Sequence, residues 1–316
     1  MNLTYKNDLE TPQSIAQRDG TPLSINPYFP SKSLRNAVNM AIALKRPLLL
    51  KGEPGCGKTR LALAVAYDLY GADCMQHYFE WNIKSTSKAS DGIYTFDHIR
   101  RLRDAQMDKI KENNTFESDN LPNYLEKGAL TLAFEKSEKD KPSILLIDEI
   151  DKADIDFPND LLLELDQNRL EIPELLKSNN PNWQKLGNIV AKAPPIIFIT
   201  SNDEKELPQA FLRRCLFHYV EFPTTADLEK IVKANFTDFD EKIRAEAIKK
   251  FEILRGRMGT NAEKNVSTSE LLDWITLIKH FKTDLQNLEK DGIIAHFQAL
   301  LKSRNDVITF SKQKNG

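Results

Sequence analysis

Eight consecutive residues carry the clearest chemistry in this chain. Gly52-Glu53-Pro54-Gly55-Cys56-Gly57-Lys58-Thr59 matches the pattern GxxxxGK[ST] in full. Glycines let a loop wrap closely around phosphate oxygens, where a Cβ would collide. The loop amides and the positive end of the following helix face the anion. Lys58 adds a point charge at the β- and γ-phosphates, and the Thr59 hydroxyl is suited to ligate Mg²⁺. Arg60 follows directly, so the run from Gly52 to Arg60 is the candidate nucleotide-binding segment. Cys56 lies inside it, where helix-terminal amides lower a thiol pKa. Its position needs only a small side chain, so no catalytic task is assigned to it.

Two further places fit the same chemistry. The apolar run Ile144-Leu-Leu-Ile147 leads directly into Asp148-Glu149. Asp148 at a strand end would reach Mg²⁺ through water, and Glu149 would polarise a water attacking the γ-phosphate. Thr200-Ser201-Asn202 ends another apolar run. The short amide of Asn202 can orient that water or touch the γ-phosphate, although Ser and Asn also favour plain strand-capping turns.

The elements that must position these residues follow from pattern. Short apolar runs at Leu48–Leu50, Met75–Ile83, Ser143–Asp148, Pro195–Thr200 and Leu216–Phe222 predict buried strands. Helical stretches lie between most of them. This alternation indicates an α/β domain with a mainly parallel central sheet. A helix opens at Ser31, with Leu34, Val38 and Ile42 on one face. Another runs from Arg60 to Tyr70 and ends at Gly71. Residues 112–123 read as a surface loop, and Leu170, Ile172 and Ile189–Ala191 as an inserted hairpin. After Pro223 strand signals stop. Helices are predicted from Thr225, over 241–255, after the capping box Ser267-Thr-Ser-Glu270, and over 292–302. The predicted organisation is a flexible arm at 1–24, an α/β nucleotide-binding core at 25–223 and an all-helical domain at 224–316.

Composition bounds the classes. With 316 residues the chain is long enough for about two domains and a core without staples. The charge is nearly balanced, 44 Lys+Arg against 46 Asp+Glu, which argues against a general polyanion binder. The three cysteines lack metal-ligand spacing and the five histidines form no HExxH. No apolar run is long enough to span a membrane, and the N-terminus has no apolar signal region. The expectation is a reduced, cytoplasmic protein.

Together these residues resemble the AAA+ ATPases, and most closely their MoxR-like branch. The resemblance covers about residues 26–280. It rests on GEPGCGKT (52–59), LLIDEIDKAD (145–154), FITSN (198–202) and FLRRC (211–215); residues 81–106 and 266–274 also look like segments of this branch. It implies a P-loop NTPase core with a five-stranded parallel sheet and a C-terminal helical lid. It also implies assembly into a ring, usually a hexamer. ATP hydrolysis to ADP and phosphate would be coupled to remodelling of a client protein, often one with a von Willebrand factor A domain. Lys58 and Thr59 match the Walker A pair, Asp148 and Glu149 Walker B, and Asn202 sensor 1. Arg214 matches the arginine finger that completes a neighbouring subunit's site, with Arg213 beside it as a second candidate. Tyr28, in Tyr28-Phe-Pro30, lies where the family often seats adenine; an ordinary aromatic-proline turn fits equally well. Gly92-Ile-Tyr-Thr-Phe96 could face a ring pore, but core packing is favoured. One departure concerns the sensor 2 arginine: the matching stretch reads Ser267-Thr268-Ser269, leaving Arg255 or Arg257 as substitutes.

The leading expectation is therefore a Mg²⁺-dependent, ring-forming ATPase that acts like a chaperone. The alternative is an ATP-controlled oligomerisation switch or scaffold in stress or defence signalling. A nucleic-acid motor is disfavoured by the balanced charge.

Overall fold

A computed structural model describes residues 3–108, 120–258, 265–290 and 293–302. The central sheet has five strands: β1 (Leu48–Lys51), β2 (Tyr78–Asn82), β3 (Ile144–Asp148), β4 (Ile196–Ser201) and β5 (Leu216–Tyr219). Their order is β5-β1-β4-β3-β2. The pairs β4/β1, β4/β3 and β2/β3 are all parallel. Every residue of β4 is buried, as are the first four of β3. Continuous apolar runs suit a sheet covered on both faces. The edge strand β5 alternates half-buried and exposed residues.

The strand register is what positions the candidate chemistry. Ser201 lies opposite Lys51, and Ile199 opposite Ile147. Parallel strands end on the same edge. Lys51, Asp148 and Ser201 therefore all stand at the C-terminal edge of the sheet, where open α/β sheets bind ligands.

The chain divides into two compact units that interleave in sequence. One holds Met1–Lys6, Lys32–Lys51 and Val65–His218. The other holds Asn7–Ser31, Gly52–Ala64 and the chain from Tyr219 on. The first unit has a core built on the sheet, with Phe79, Trp81, Leu145, Ile147, Ile197 and Ile199 among its buried members. The second has its own core, in which Phe251, Leu271 and Trp274 are fully buried.

Several expectations are corrected. Within the segment expected to be a flexible arm, Tyr5 is buried. Its N–H donates to Asn39 Oδ1 at 2.8 Å, and Asn39 Nδ2 donates back to its carbonyl at 3.2 Å. Gln13–Ala16 and Pro22–Ile25 then pair as an antiparallel hairpin. Too few residues separate these strands for a hydrophobic pattern to show. The described residues of 224–302 are not all-helical. Helices Thr225–Asn235, Glu241–Met258 and Thr268–His280 form. The last expected helix is replaced by the paired strands Glu289–Lys290 and Ile293–Ile294 and a single 3₁₀ turn at Phe297–Ala299. The strand expected from Met75 begins only at Tyr78, because Cys74–His77 makes one helical turn. The inserted hairpin forms as read, from Arg169–Glu171 and Asn188–Val190. Most of the loop predicted at 112–123 lies outside the described residues. Gly92 packs on Trp81, whose ring would lie 2.3 Å from a Cβ there, consistent with a core role for that segment.

Candidate nucleotide site

The phosphate loop leaves β1 at Lys51 and ends in the helix Lys58–Tyr70. Three of its glycines adopt positive φ: 156° at Gly52, 75° at Gly55 and 95° at Gly57. A Cβ on Gly52 would lie 2.4 Å from the Val220 carbonyl oxygen, and one on Gly55 would lie 2.4 Å from the Cβ of Ser267. Glycine is therefore required there both by torsion and by space. Lys58 is 5 % exposed, and its Nζ donates to the carbonyls of Gly52 at 2.7 Å and Glu53 at 2.9 Å. The ammonium thus sits inside the curve of its own loop.

Tyr28 meets this loop. Its ring carbon lies 3.3 Å from where a Gly57 Cβ would be, and burial raises its phenol above the usual range. Arg60 is close enough to Tyr28 to act on it electrostatically, and burial pulls its guanidinium below the usual value. Cys56 is buried, and burial raises its thiol pKa despite the opposing pull of Lys58. A buried thiol whose pKa is raised is a poor nucleophile.

The acidic strand end is built by different means. Thr200, near the end of β4, donates its hydroxyl to Asp148 Oδ1 at 2.6 Å. The same hydroxyl oxygen accepts the N–H of Glu149 at 2.8 Å. One side chain thereby fixes both carboxylate residues. Glu149 takes left-handed torsions (φ 59°, ψ 49°), uncommon for a non-glycine residue. Its Oε1 accepts Asn202 Nδ2 at 3.1 Å, and its Oε2 pairs with Lys152. That bond to Glu149 raises the Lys152 pKa. Below, Asp151 is almost fully buried. Its Oδ2 accepts the N–H groups of Asn202 at 3.0 Å and Glu204 at 2.9 Å. Asn202, expected to face water or phosphate, is thus held against Glu149.

The structure brings Asp148, Glu149 and Asn202 together. Thr200, Asp151 and Lys152 were assigned no task from the sequence. Thr200 carried a usable signal, one of two hydroxyl residues, with Ser201, at the end of an apolar strand. Asp151 did not, because its partners Asn202 and Glu204 are more than fifty residues away; Lys152 pairs with Glu149 three residues before it, a spacing that in the sequence looks like any surface ion pair.

The candidate finger residues lie apart, on the turn after the short helix Gln209–Leu212. Arg214 is exposed and pairs through Nε with Asp166 Oδ2 at 2.6 Å. Arg213 is also exposed. Arg46 braces this turn from beneath, donating to the carbonyls of Arg213 and, at 3.1 Å, Arg214. A cavity of about 320 Å³ opens beside it, between Arg213, Arg214, Asp166 and Leu162.

A comparison with known families matches residues 48–224 to the ATPase family associated with various cellular activities (AAA). The chain belongs to the AAA family. The matched span takes in the phosphate loop, the acidic strand end, Asn202 and both finger candidates, more than half of the sequence. No curated protein matches the chain significantly. Family and fold agree: an AAA domain on a five-stranded α/β P-loop core, an ATP-binding ATPase class. Among the described residues of this AAA protein no helix is long and apolar enough to cross a membrane, and no group of three or more His, Cys, Asp or Glu could hold a metal ion by itself.

Proposed function

We propose that this AAA protein hydrolyses ATP with Mg²⁺ as a ring-forming remodeller of a partner protein, in the manner of the MoxR-like branch. The observation that carries the reading is the shared edge of the sheet. Lys51, which leads into the phosphate loop, Asp148 and the strand preceding Asn202 all end there in register.

The residues fit the nucleotide and its metal. The loop's glycines hold the positive torsions that curve it and pack against Val220, Ser267 and Tyr28, and Lys58 supplies its buried cation. Thr59 and Asp148 offer hard oxygen donors. Mg²⁺ is typically held by one or two such groups together with phosphate oxygens, so no dedicated protein cage is needed. When bound, MgATP would supply an electrophilic γ-phosphorus, with part of the charge on its oxygens neutralised by the metal. Lys58 and the loop amides hold the phosphates. Thr200 holds Asp148, which would offer its carboxylate to the metal, and holds the backbone N–H of Glu149. The Glu149 carboxylate accepts the proton of the attacking water as the new P–O bond forms and the bond to the ADP oxygen breaks. Asn202 sets the direction of that carboxylate. Tyr28, against Gly57, borders the loop from the side proposed for the base.

The site remains incomplete without a cation on the departing phosphate. Arg214 of a neighbouring copy, or Arg213 beside it, supplies that charge in trans. Release of Arg214 from Asp166 accompanies this engagement. A client with a von Willebrand factor A domain is the partner class that the branch suggests. The switch reading retains one supporting observation: Ser267 fills the space beside Gly55, where an arginine sensing the phosphate would otherwise enter.

The test is ATPase rate against protein concentration, followed by subunit mixing. Specific activity is expected to rise until the ring fills. Arg214→Ala and Glu149→Gln, each nearly inactive, should recover part of the activity when mixed, because some sites regain both groups. Concentration-independent turnover with no recovery in confirmed mixed oligomers would overturn the trans arrangement.

A further inference from the structure

The phosphate loop carries an acidic residue, Glu53, in a place built for a polyanion. Its carboxylate lies one residue from Gly52 and would repel incoming phosphates. The structure answers this charge from a distant part of the sequence. Arg255, on the helix Glu241–Met258, pairs through its guanidinium with Glu53 Oε2.

Three contacts fix that guanidinium. One nitrogen reaches Glu53, and another donates to the Val266 carbonyl at 2.6 Å. Its plane lies over the Phe222 ring, 3.6 Å from the centroid. The Arg255 side chain is only 18 % exposed. A planar fork held at both ends and stacked on a ring is a rigid arrangement that lysine does not reproduce.

The carbonyl that Arg255 holds belongs to the residue before Ser267. Ser267 caps the helix Thr268–His280, where its N–H donates to Glu270 at 2.7 Å, and it also packs on Gly55. Glu53 is therefore held twice: its carbonyl accepts Lys58, and its carboxylate accepts Arg255. The side chain of Arg257, the other substitute expected from sequence, lies outside the described residues.

We propose that Arg255 is a positioning residue for the phosphate loop, one that neutralises Glu53 and turns its carboxylate away from the polyphosphate. It does so without touching the nucleotide. This rests on the nucleotide-binding reading above. Three consequences follow from charge. Removing Arg255 weakens ATP binding more than ADP binding, because ATP carries more negative charge. Removing the Glu53 carboxylate in the same chain restores affinity. Removing that carboxylate alone leaves Arg255 uncompensated and tightens ATP binding.

The experiment is calorimetry of ATP and ADP with the full chain at low and at moderate salt, using Arg255→Ala, Arg255→Lys, Glu53→Gln and the double variant Arg255→Ala/Glu53→Gln. Arg255→Ala is expected to raise the Kd for ATP roughly five- to tenfold at low salt and less at moderate salt. The double variant is expected to return to within about twofold of the wild type, and Arg255→Lys to fall between. A double variant as weak as Arg255→Ala, or equal losses for ATP and ADP, would mean that Arg255 only supports packing and would overturn the proposal. Should Arg255→Ala fail to fold, Glu53→Gln decides alone: tighter ATP binding supports the proposal and weaker binding rejects it. Failure of the nucleotide reading would look different, since the wild type itself would then bind no ATP.

Discussion

The phosphate loop and the acidic strand end prepare for the same proposed reaction by opposite means. The loop is shaped by backbone torsion. Gly52, Gly55 and Gly57 adopt angles that other residues resist, and Lys58 closes the curve on carbonyls five and six residues away. The strand end is shaped by side chains meeting across strands. Thr200 lies 52 positions from Asp148 and 51 from Glu149, and Asn202 lies 53 from Glu149. The loop is therefore a local structure, and the strand end is a product of the sheet. The difference teaches where damage should appear: changes in the loop should act mainly on affinity, and changes at the strand end mainly on turnover.

The largest expected effect that sharpens this contrast is at Lys58. Lys58→Ala removes a charge-assisted contact worth about 1.5–3 kcal/mol. ATP affinity should fall roughly ten- to a hundredfold. Calorimetry on the folded variant checks it, and unchanged affinity would remove Lys58 from the site.

Thr200→Val comes next. It keeps the side chain's shape but deletes the bond to Asp148 and leaves the Glu149 N–H without its acceptor. A stability loss of about 1–3 kcal/mol is expected from that group. Turnover should drop about tenfold while ATP affinity changes little, because Glu149 loses the support for its left-handed backbone. Thermal unfolding and phosphate-release assays measure the two parts. Lost affinity with intact turnover would break the division between the regions.

The smallest effect is at Cys56. Its thiol is buried, with a pKa raised above that of a free thiol, so the neutral form persists to higher pH than usual. Alkylation at mildly alkaline pH should be slow, and Cys56→Ala should retain ATPase activity within about twofold. Complete loss in a folded variant would give the thiol a role.

The same contrast explains what could be read from the sequence. The loop was legible because each torsion requires a residue type at a fixed local spacing. The central strands β1, β3 and β4 were legible as apolar runs, and Asp148 and Asn202 as polar residues at their ends. The edge strands β2 and β5 were placed but read too long, and β5 is half exposed where a buried strand was expected. The network around Glu149 was not, because the partners of Thr200 and Asp151 are set by strand order and register. Arg255 was legible only as an alternative to an arginine missing near Ser267; its pairing with Glu53 spans 202 positions. The buried Tyr5 was missed because a single aromatic residue in a polar stretch has no periodicity to betray its docking on Asn39. The paired strands Glu289–Lys290 and Ile293–Ile294 were missed because strands of two residues are too short to show alternation.

The central claim, that the proposed binding belongs to the loop and the proposed hydrolysis to the strand end, is tested most directly on Glu149→Gln. ATP affinity by calorimetry and phosphate release should be measured on the same preparation. The account predicts affinity within a few-fold of the wild type and turnover reduced at least about tenfold, since the amide keeps the size but cannot accept the water's proton. Wild-type turnover in this variant, or loss of ATP binding with the fold intact, would contradict it.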